Sequence, residues 1–149
     1  MYLVDYHTHP YGHGEKSKGK NILKKFVNRA ENLNLKELGF SDHDEFFDKI
    51  DEEEIRKIKK TGKIKVKLGI EIDYTPAREK EIKELIQKIP LDYCIGSIHK
   101  IDDWEFDHPD YKDRYQKKDV DNLYQSYFEL VQKAVLSGMF DIVGHFDLI

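Results

Sequence analysis

The chain has 149 residues, a length that suits one domain with a substantial core. Its net charge of −4 and pI near 6.0 give no basic surface of the kind that a nucleic-acid backbone attracts. Cys94 is the only cysteine, so intramolecular disulfides and cysteine-rich zinc sites are excluded. Any metal ion must therefore be held by His, Asp and Glu. We also expect no nucleic-acid partner.

Neither a membrane span nor a secretion signal is visible in the sequence. It contains no apolar stretch of about 18 residues and no signal-peptide core. We therefore expect a cytoplasmic protein with no membrane partner.

The apolar pattern predicts strands and helices that alternate along the chain. In chain order these are a strand at 2–6, a helix at 20–33, a strand at 36–40, a helix at 51–60, a strand at 63–74, a helix beginning at 76, a strand at 91–98, a helix at 119–137 and a strand beginning at 141. Gly138 is the predicted stop of the last helix. Residues 99–118 show no clear periodicity. The alternation predicts an α/β fold of parallel βα units in one domain, 1–149.

Each predicted strand ends in a residue type that binds metal ions. His7 and His9 are two residues apart, which puts both imidazoles on one side of an extended chain. His13 follows in the next loop. The carboxyl ends of parallel strands meet at one edge of a sheet, whatever their separation in sequence. We therefore expect these histidines to converge with the residues that end the other four strands, which are His43, Glu71, His99 and His145.

Glu71 follows an apolar run, so its carboxylate is expected to be buried and to need a metal ion or an ion pair. A bridging position between two metal ions is the sharper interpretation. Imidazole and carboxylate ligands suit Zn, Mn or Fe, among which the sequence does not choose. Two or three such ions form a hydrolytic centre, for which phosphoester hydrolysis fits best. Asp5, Asp42 and Asp147 are predicted to orient the ligand imidazoles.

These residues stand in motifs that resemble those of the polymerase and histidinol phosphatase (PHP) superfamily, and in particular its histidinol-phosphate phosphatases. The motifs are His7-Thr8-His9 with His13, Ser41-Asp42-His43, Gly69 to Tyr74, Gly96 to His99, and Gly144 to Asp147. The resemblance runs along essentially the whole chain. It implies parallel βα units that form most of a distorted, TIM-like (β/α)7 barrel, incomplete at its C-terminus.

The resemblance also implies a trinuclear metal centre. His7, His9 and Glu71 would bind one ion, Glu71, His99 and His145 a second, and His13 with His43 a third. Glu71 and His99 would act in catalysis through a metal-bound hydroxide. The family has a later Asp-x-His motif that residues 1–149 do not include. Either these residues are a fragment of a longer protein, or a homo-oligomer or a second chain completes the barrel.

The segment 99–118 follows a strand that carries a ligand, so it is placed to contact a small phosphorylated substrate. Its candidate residues are Lys100, Trp104, His108 and Arg114, with Lys100 or Arg114 for the phosphate. The resemblance implies dephosphorylation of L-histidinol phosphate in histidine biosynthesis. Two alternatives stay open, namely a related phosphoesterase acting on nucleotides or phosphodiesters, and an inactive, metal-binding partial domain.

Overall fold

The computed structural model describes residues 1–12, 21–88 and 90–149. In these ranges the strands are β1 (Val4–Asp5), β2 (Glu37–Phe40), β3 (Lys65–Asp73), β4 (Tyr93–Ser97), β5 (Lys100–Ile101), β6 (Trp104–Glu105) and β7 (Ile142–Val143). The helices are α1 (Ile22–Asn32), α2 (Glu52–Thr61), α3 (Glu79–Ile86) and α4 (Val120–Leu136), with 3-10 segments at Asp44–Lys49, Pro76–Arg78 and Pro109–Lys117. None of the helices in the described ranges has the length and apolar character needed to cross a membrane.

The chain divides into two compact units. The first comprises Met1–Glu71 with Leu91–Tyr93, and the second comprises Ile72–Pro90 with Cys94–Ile149. Strands β3 and β4 each begin in the first unit and end in the second. That residues 1–149 form a single domain stays a prediction.

Parallel strand pairing organises the first unit. Strand β1 pairs with β2, with Asp5 opposite Leu38, and β2 pairs with β3, with Phe40 opposite Leu68. Helix α1 connects the first pair and α2 the second, so both connections are βαβ units, as predicted from the sequence.

The helices of the first unit owe their positions to apolar stripes and one cap. Leu23, Val27 and Ala30 recur at helical spacing and are the buried residues of α1. Helix α2 begins after Asp51, whose carboxylate accepts a hydrogen bond from the Glu54 backbone N–H at 2.8 Å. Its acidic first turn and its basic last turn both suit the helix dipole.

In the second unit, β4 pairs in parallel with β7, with Gly96 opposite Val143, and α4 precedes β7 along the chain. Asp119 caps α4 by accepting a hydrogen bond from the Asn122 backbone N–H at 3.0 Å. Beyond the helix, Gly138 has a φ of 65°, the left-handed conformation that commonly ends a helix. The predicted helix stop is therefore confirmed.

The segment 99–118 is more regular than its sequence indicates. Strands β5 and β6 form an antiparallel hairpin in which Ile101 lies opposite Trp104, and Asp102 takes a φ of 53° in the turn. A 3-10 segment follows at Pro109–Lys117. Strands of two residues are too short to show alternation, and 3-10 turns lack the 3.6-residue period, which explains why neither was predicted.

A buried tyrosine fills the space beside two glycines of the first unit. Tyr93 is only 7% exposed, and atoms of its side chain would be the nearest neighbours of a Cβ at either Gly39 or Gly69. Any larger side chain at these two positions must displace the ring. The glycines are therefore required here by packing, not by an unusual backbone conformation.

We predict that Gly69→Ala lowers the free energy of unfolding by about 1–3 kcal/mol, because the added Cβ overlaps the Tyr93 ring. Urea unfolding measured with chelator present tests this expectation. Lys63→Ala, at an exposed position shortly before β3, is the control and should change stability by no more than about 0.5 kcal/mol. Equal stabilities of the two variants would contradict the packing role of Gly69.

A second buried group in the first unit is the Glu37 carboxylate at the start of β2. It accepts hydrogen bonds from the Tyr6 hydroxyl at 2.6 Å and the Tyr2 hydroxyl at 2.7 Å, and it lies 3.3 Å from the Lys65 ammonium. These contacts lower the pKa of Glu37 to about 2, and the hydrogen bond from Tyr6 contributes most. The ionised form of Glu37 thus stabilises the folded chain.

The lowered pKa gives a pH dependence with a defined sign. Stability from Glu37 is fully present above its ordinary pKa of about 4.5 and is lost as the pH falls toward 2. Glu37→Gln should therefore lose less stability than the unchanged chain between about pH 4.5 and pH 2. Urea midpoints across this range measure the effect, with the exposed Glu84→Gln as control. A Glu37→Gln profile parallel to that of the unchanged chain would refute the assignment.

Candidate metal centres

Three imidazoles of the first unit converge on one carboxylate oxygen. The Oε2 atom of Glu71 lies 3.0 Å from His7 Nε2, 3.4 Å from His9 Nε2 and 3.3 Å from His43 Nδ1. The Glu71 side chain is completely buried, whereas the three imidazoles are partly exposed. We call these four residues the first cluster. It brings together four of the predicted metal ligands.

The strands place the residues of the first cluster. His43 forms an isolated parallel bridge with Glu71, and the Glu71 backbone N–H donates to the Asp42 carbonyl at 3.0 Å. His7 and His9 follow directly after β1, with ring centroids 5.0 Å apart. The rings of His9 and His43 stack at 4.6 Å. The predicted convergence of strand-end residues is therefore present within this unit.

The chemistry of the first cluster suits a divalent metal ion. One ligand atom from each of His7, His9 and Glu71 lies within 4.8 Å of the others, a separation possible for ligands that sit about 2.0–2.2 Å from a zinc ion. A fully buried carboxylate is costly without a cation or several donors facing it. A bound ion would meet that requirement, since the imidazoles and the carboxylate are ligand types of Zn, Mn and Fe.

The second unit holds its own group of ligand types, which we call the second cluster: Asp73, His99 and His145. The His99 Nδ1 atom lies 2.6 Å from Asp73 Oδ1, and its Nε2 atom lies 3.2 Å from His145 Nε2. A carboxylate at Nδ1 holds the proton there, which leaves the Nε2 lone pair of His99 available to a metal ion.

The backbone of the second unit holds this cluster in place. His99 follows the end of β4 and is 9% exposed. His145 follows β7, where the Gly144 N–H donates to the Gly96 carbonyl at 3.0 Å. The hydroxyl of buried Tyr127 donates to the His145 carbonyl at 3.1 Å. The strands and these hydrogen bonds therefore fix the backbone that carries both imidazoles.

Asp73 is a site residue that our sequence analysis missed. It lies two residues after Glu71 in β3, so both side chains point to the same face of the strand. This two-residue spacing from Glu71 could have indicated Asp73 as a candidate site residue from the sequence. Our prediction instead placed the imidazole-orienting role on Asp5, Asp42 and Asp147.

The three predicted aspartates have the following positions. Asp5 accepts a hydrogen bond from the His7 backbone N–H at 3.2 Å. Asp42 is buried and accepts one from the Tyr11 backbone N–H at 2.8 Å, and burial raises its pKa to about 6. Asp147 is exposed. That these aspartates orient ligand imidazoles stays a prediction.

His13 lies outside the described residues, so its role as a metal ligand stays a prediction.

Two of the predicted substrate contacts lie in the β5–β6 hairpin. The Lys100 ammonium is 2.7 Å from the Glu105 carboxylate. Trp104 is 4% exposed and packs edge-on against Tyr115, with ring centroids 4.7 Å apart. Lys100 is therefore already ion-paired, and Trp104 belongs to the core of its unit.

The other two predicted contacts lie near the 3-10 segment that follows. His108 precedes this segment, and its Nδ1 atom accepts a hydrogen bond from the Asp110 backbone N–H at 3.3 Å. The exposed Arg114 guanidinium lies 4.7 Å from the centroid of the Tyr111 ring. The substrate-binding roles of all four residues stay predictions.

Comparison with known proteins tests the resemblance to the PHP superfamily that the sequence motifs indicate. The family model described as PHP domain matches residues 5–149. Over 87 residues, 58% of this chain, the sequence is 40% identical to a Deinococcus radiodurans protein named "Probable histidinol-phosphatase" and covers 34% of it. It is 26% identical to the histidinol-phosphatase of Lactococcus lactis subsp. lactis, with 99% of this chain and 54% of that protein covered.

A solved structure agrees with these sequence matches. The crystal structure of histidinol phosphate phosphatase from Lactococcus lactis, complexed with Zn, L-histidinol and phosphate, has a TM-score of 0.75 and 24% identity to this chain. The match covers 97% of this chain and 57% of that one. It shows the fold, and the predicted α/β, TIM-like PHP architecture is confirmed.

The chain belongs to the PHP domain family, because the family model covers nearly all of it. The resemblance predicted from its motifs is thereby confirmed. The matched segments cover about a third and about half of the length of these two curated relatives.

We predict that Asp73→Asn weakens metal binding at His99 by about 10- to 100-fold, since it removes the carboxylate that fixes the His99 tautomer. Isothermal titration calorimetry of the chelator-stripped chain with zinc measures the change in affinity. Asp103→Asn, at an exposed position in the hairpin turn, is the matched control and should bind as the unchanged chain does. Unaltered affinity in Asp73→Asn would show that Asp73 does not support a metal ligand.

Proposed function

We propose that this chain is a metal-dependent phosphomonoester hydrolase that converts L-histidinol phosphate to L-histidinol in histidine biosynthesis. The observation that carries the proposal is the first cluster, in which three imidazoles lie 3.0–3.4 Å from one oxygen of a fully buried glutamate. Membership of the PHP domain family and similarity to two histidinol-phosphatases support the same conclusion.

In this proposal the predicted ligands are divided among three metal ions. His7, His9 and Glu71 would hold one ion, and His99 with His145 would contribute to another, while His43 would serve a third together with His13. Bound Zn, Mn or Fe supplies a Lewis acid for the phosphoryl oxygens and lowers the pKa of water. The Glu71 carboxylate would offset part of the positive charge of the bound ion. A further role of Glu71 toward the ion at His99 stays a prediction from the resemblance.

The substrate assignment draws on what similar proteins bind. The similar Lactococcus lactis structure contains L-histidinol and phosphate, which supports a small phosphorylated amino alcohol as substrate here. Among the predicted phosphate contacts, Arg114 fits better than Lys100. The Lys100 ammonium already lies 2.7 Å from Glu105, whereas Arg114 is exposed and can present its guanidinium to a phosphate in bidentate fashion.

The test is phosphate release from L-histidinol phosphate by the chain, first stripped with chelator and then reloaded with Mn, Zn or Fe. We expect release only after reloading, and faster release than from a nucleoside monophosphate. Glu71→Gln should reduce it by more than about 100-fold, since a ligand should matter more than its supporting partner. Glu84→Gln, an exposed glutamate in α3, should not change it.

Each other outcome selects a different function. Faster release from the nucleoside monophosphate would favour a related phosphoesterase. Stoichiometric metal binding without phosphate release would favour the inactive, metal-binding partial domain.

A further inference from the structure

The segment that carries His7 and His9 lies beyond the regular pairing of β1. The ladder between β1 and β2 ends with Asp5 opposite Leu38. From there the chain depends on individual hydrogen bonds for its position. The peptide units around the two ligands therefore need anchors other than the ladder.

Thr8, between the two ligands, is anchored by its backbone and by its side chain. Its backbone N–H donates to the Ser41 hydroxyl at 3.1 Å, and its carbonyl accepts from the Ser41 backbone N–H at 2.9 Å. The Thr8 hydroxyl also donates to the Gly39 carbonyl at 2.6 Å. These bonds fix the peptide units that follow His7.

Tyr93 holds the peptide unit that precedes His7. Its hydroxyl donates to the Tyr6 carbonyl at 2.6 Å, across 87 residues of sequence. The ring is fixed against Gly39 and Gly69, where no other side chain could fit. Tyr93 therefore presents its hydroxyl from a rigid position.

We propose that Tyr93 is a positioning residue for the metal ligands His7 and His9, a role that rests on the proposed function. With Ser41 it fixes the peptide units on both sides of His7, and so fixes the direction in which the His7 side chain leaves the backbone. Metal ligation tolerates only small errors in that direction. Loss of a group that orients a metal ligand without binding the metal itself typically lowers metal affinity by about 10- to 100-fold.

Tyr93→Phe separates positioning from packing, because it removes the hydroxyl and keeps the ring between the glycines. Tyr74→Phe is the matched control. Tyr74 is also a buried tyrosine, 1% exposed, but its hydroxyl donates to the Glu79 carboxylate at 2.9 Å, and Glu79 is in neither cluster. Both variants lose one hydroxyl from a buried ring.

The readout is metal binding by the full chain, without substrate. Titration of the chelator-stripped chain with Co²⁺ gives a ligand-field spectrum and an affinity, and His7→Ala identifies the component that belongs to the first cluster. We expect Tyr93→Phe to weaken that component by about 10-fold or more and to alter its spectrum. Tyr74→Phe should leave both unchanged. Urea unfolding with chelator should give similar stabilities for the two variants.

Ser41→Ala provides a second test that leaves the ring in place, and it should also weaken the His7-dependent component. Unchanged affinity and spectrum in both Tyr93→Phe and Ser41→Ala would overturn the positioning role and leave the proposed function standing. Absence of any His7-dependent component in the unchanged chain would overturn the proposed function and the positioning role together.

Discussion

The buried carboxylate of Glu71 is the constraint on which the candidate site depends. A carboxylate removed from water costs several kcal/mol unless cations or donors surround it. In the first cluster three imidazoles approach the same oxygen from two different strand ends, and a metal ion bound among them would meet that requirement. The pairing of β2 with β3, and the bridge from His43 to Glu71, must therefore be correct before the cluster can form. Fold and site are thus coupled through one side chain.

The two clusters use different chemistry to prepare an imidazole for a metal ion. In the first cluster the carboxylate is itself a ligand type and lies among the imidazoles. In the second cluster the carboxylate of Asp73 stands behind His99, at Nδ1, and leaves Nε2 directed toward His145. A carboxylate in that position raises the basicity of the ring and fixes its tautomer. Glu71 and Asp73 lie only two residues apart in β3 and yet have these two different roles.

The sequence was most informative where burial and chemistry agree. His7, His9, His43 and Glu71 could be predicted as one group because each stands at or near the end of a predicted strand, and parallel strands gather such residues at one edge. The β5–β6 hairpin could not be predicted, since its two-residue strands carry no period. The position of Trp104 in the core, like that of Lys100 beside Glu105, depends on tertiary packing around this hairpin. The orienting role of Asp73 required the spacing within β3 to be combined with the position of His99, which is visible only in the folded chain.

In both units a tyrosine hydroxyl holds the backbone next to a ligand. Tyr93 binds the Tyr6 carbonyl beside His7, and Tyr127 binds the carbonyl of His145 itself. These two ligand-bearing segments lie just beyond the ends of β1 and β7, where the pairing with a neighbouring strand no longer fixes the backbone. A rigid ring with one polar atom can reach such a segment from the core at low entropic cost, since few rotatable bonds must be fixed. The same logic explains the two glycines beneath Tyr93, since the ring can stand there only if β2 and β3 carry no side chains at those positions.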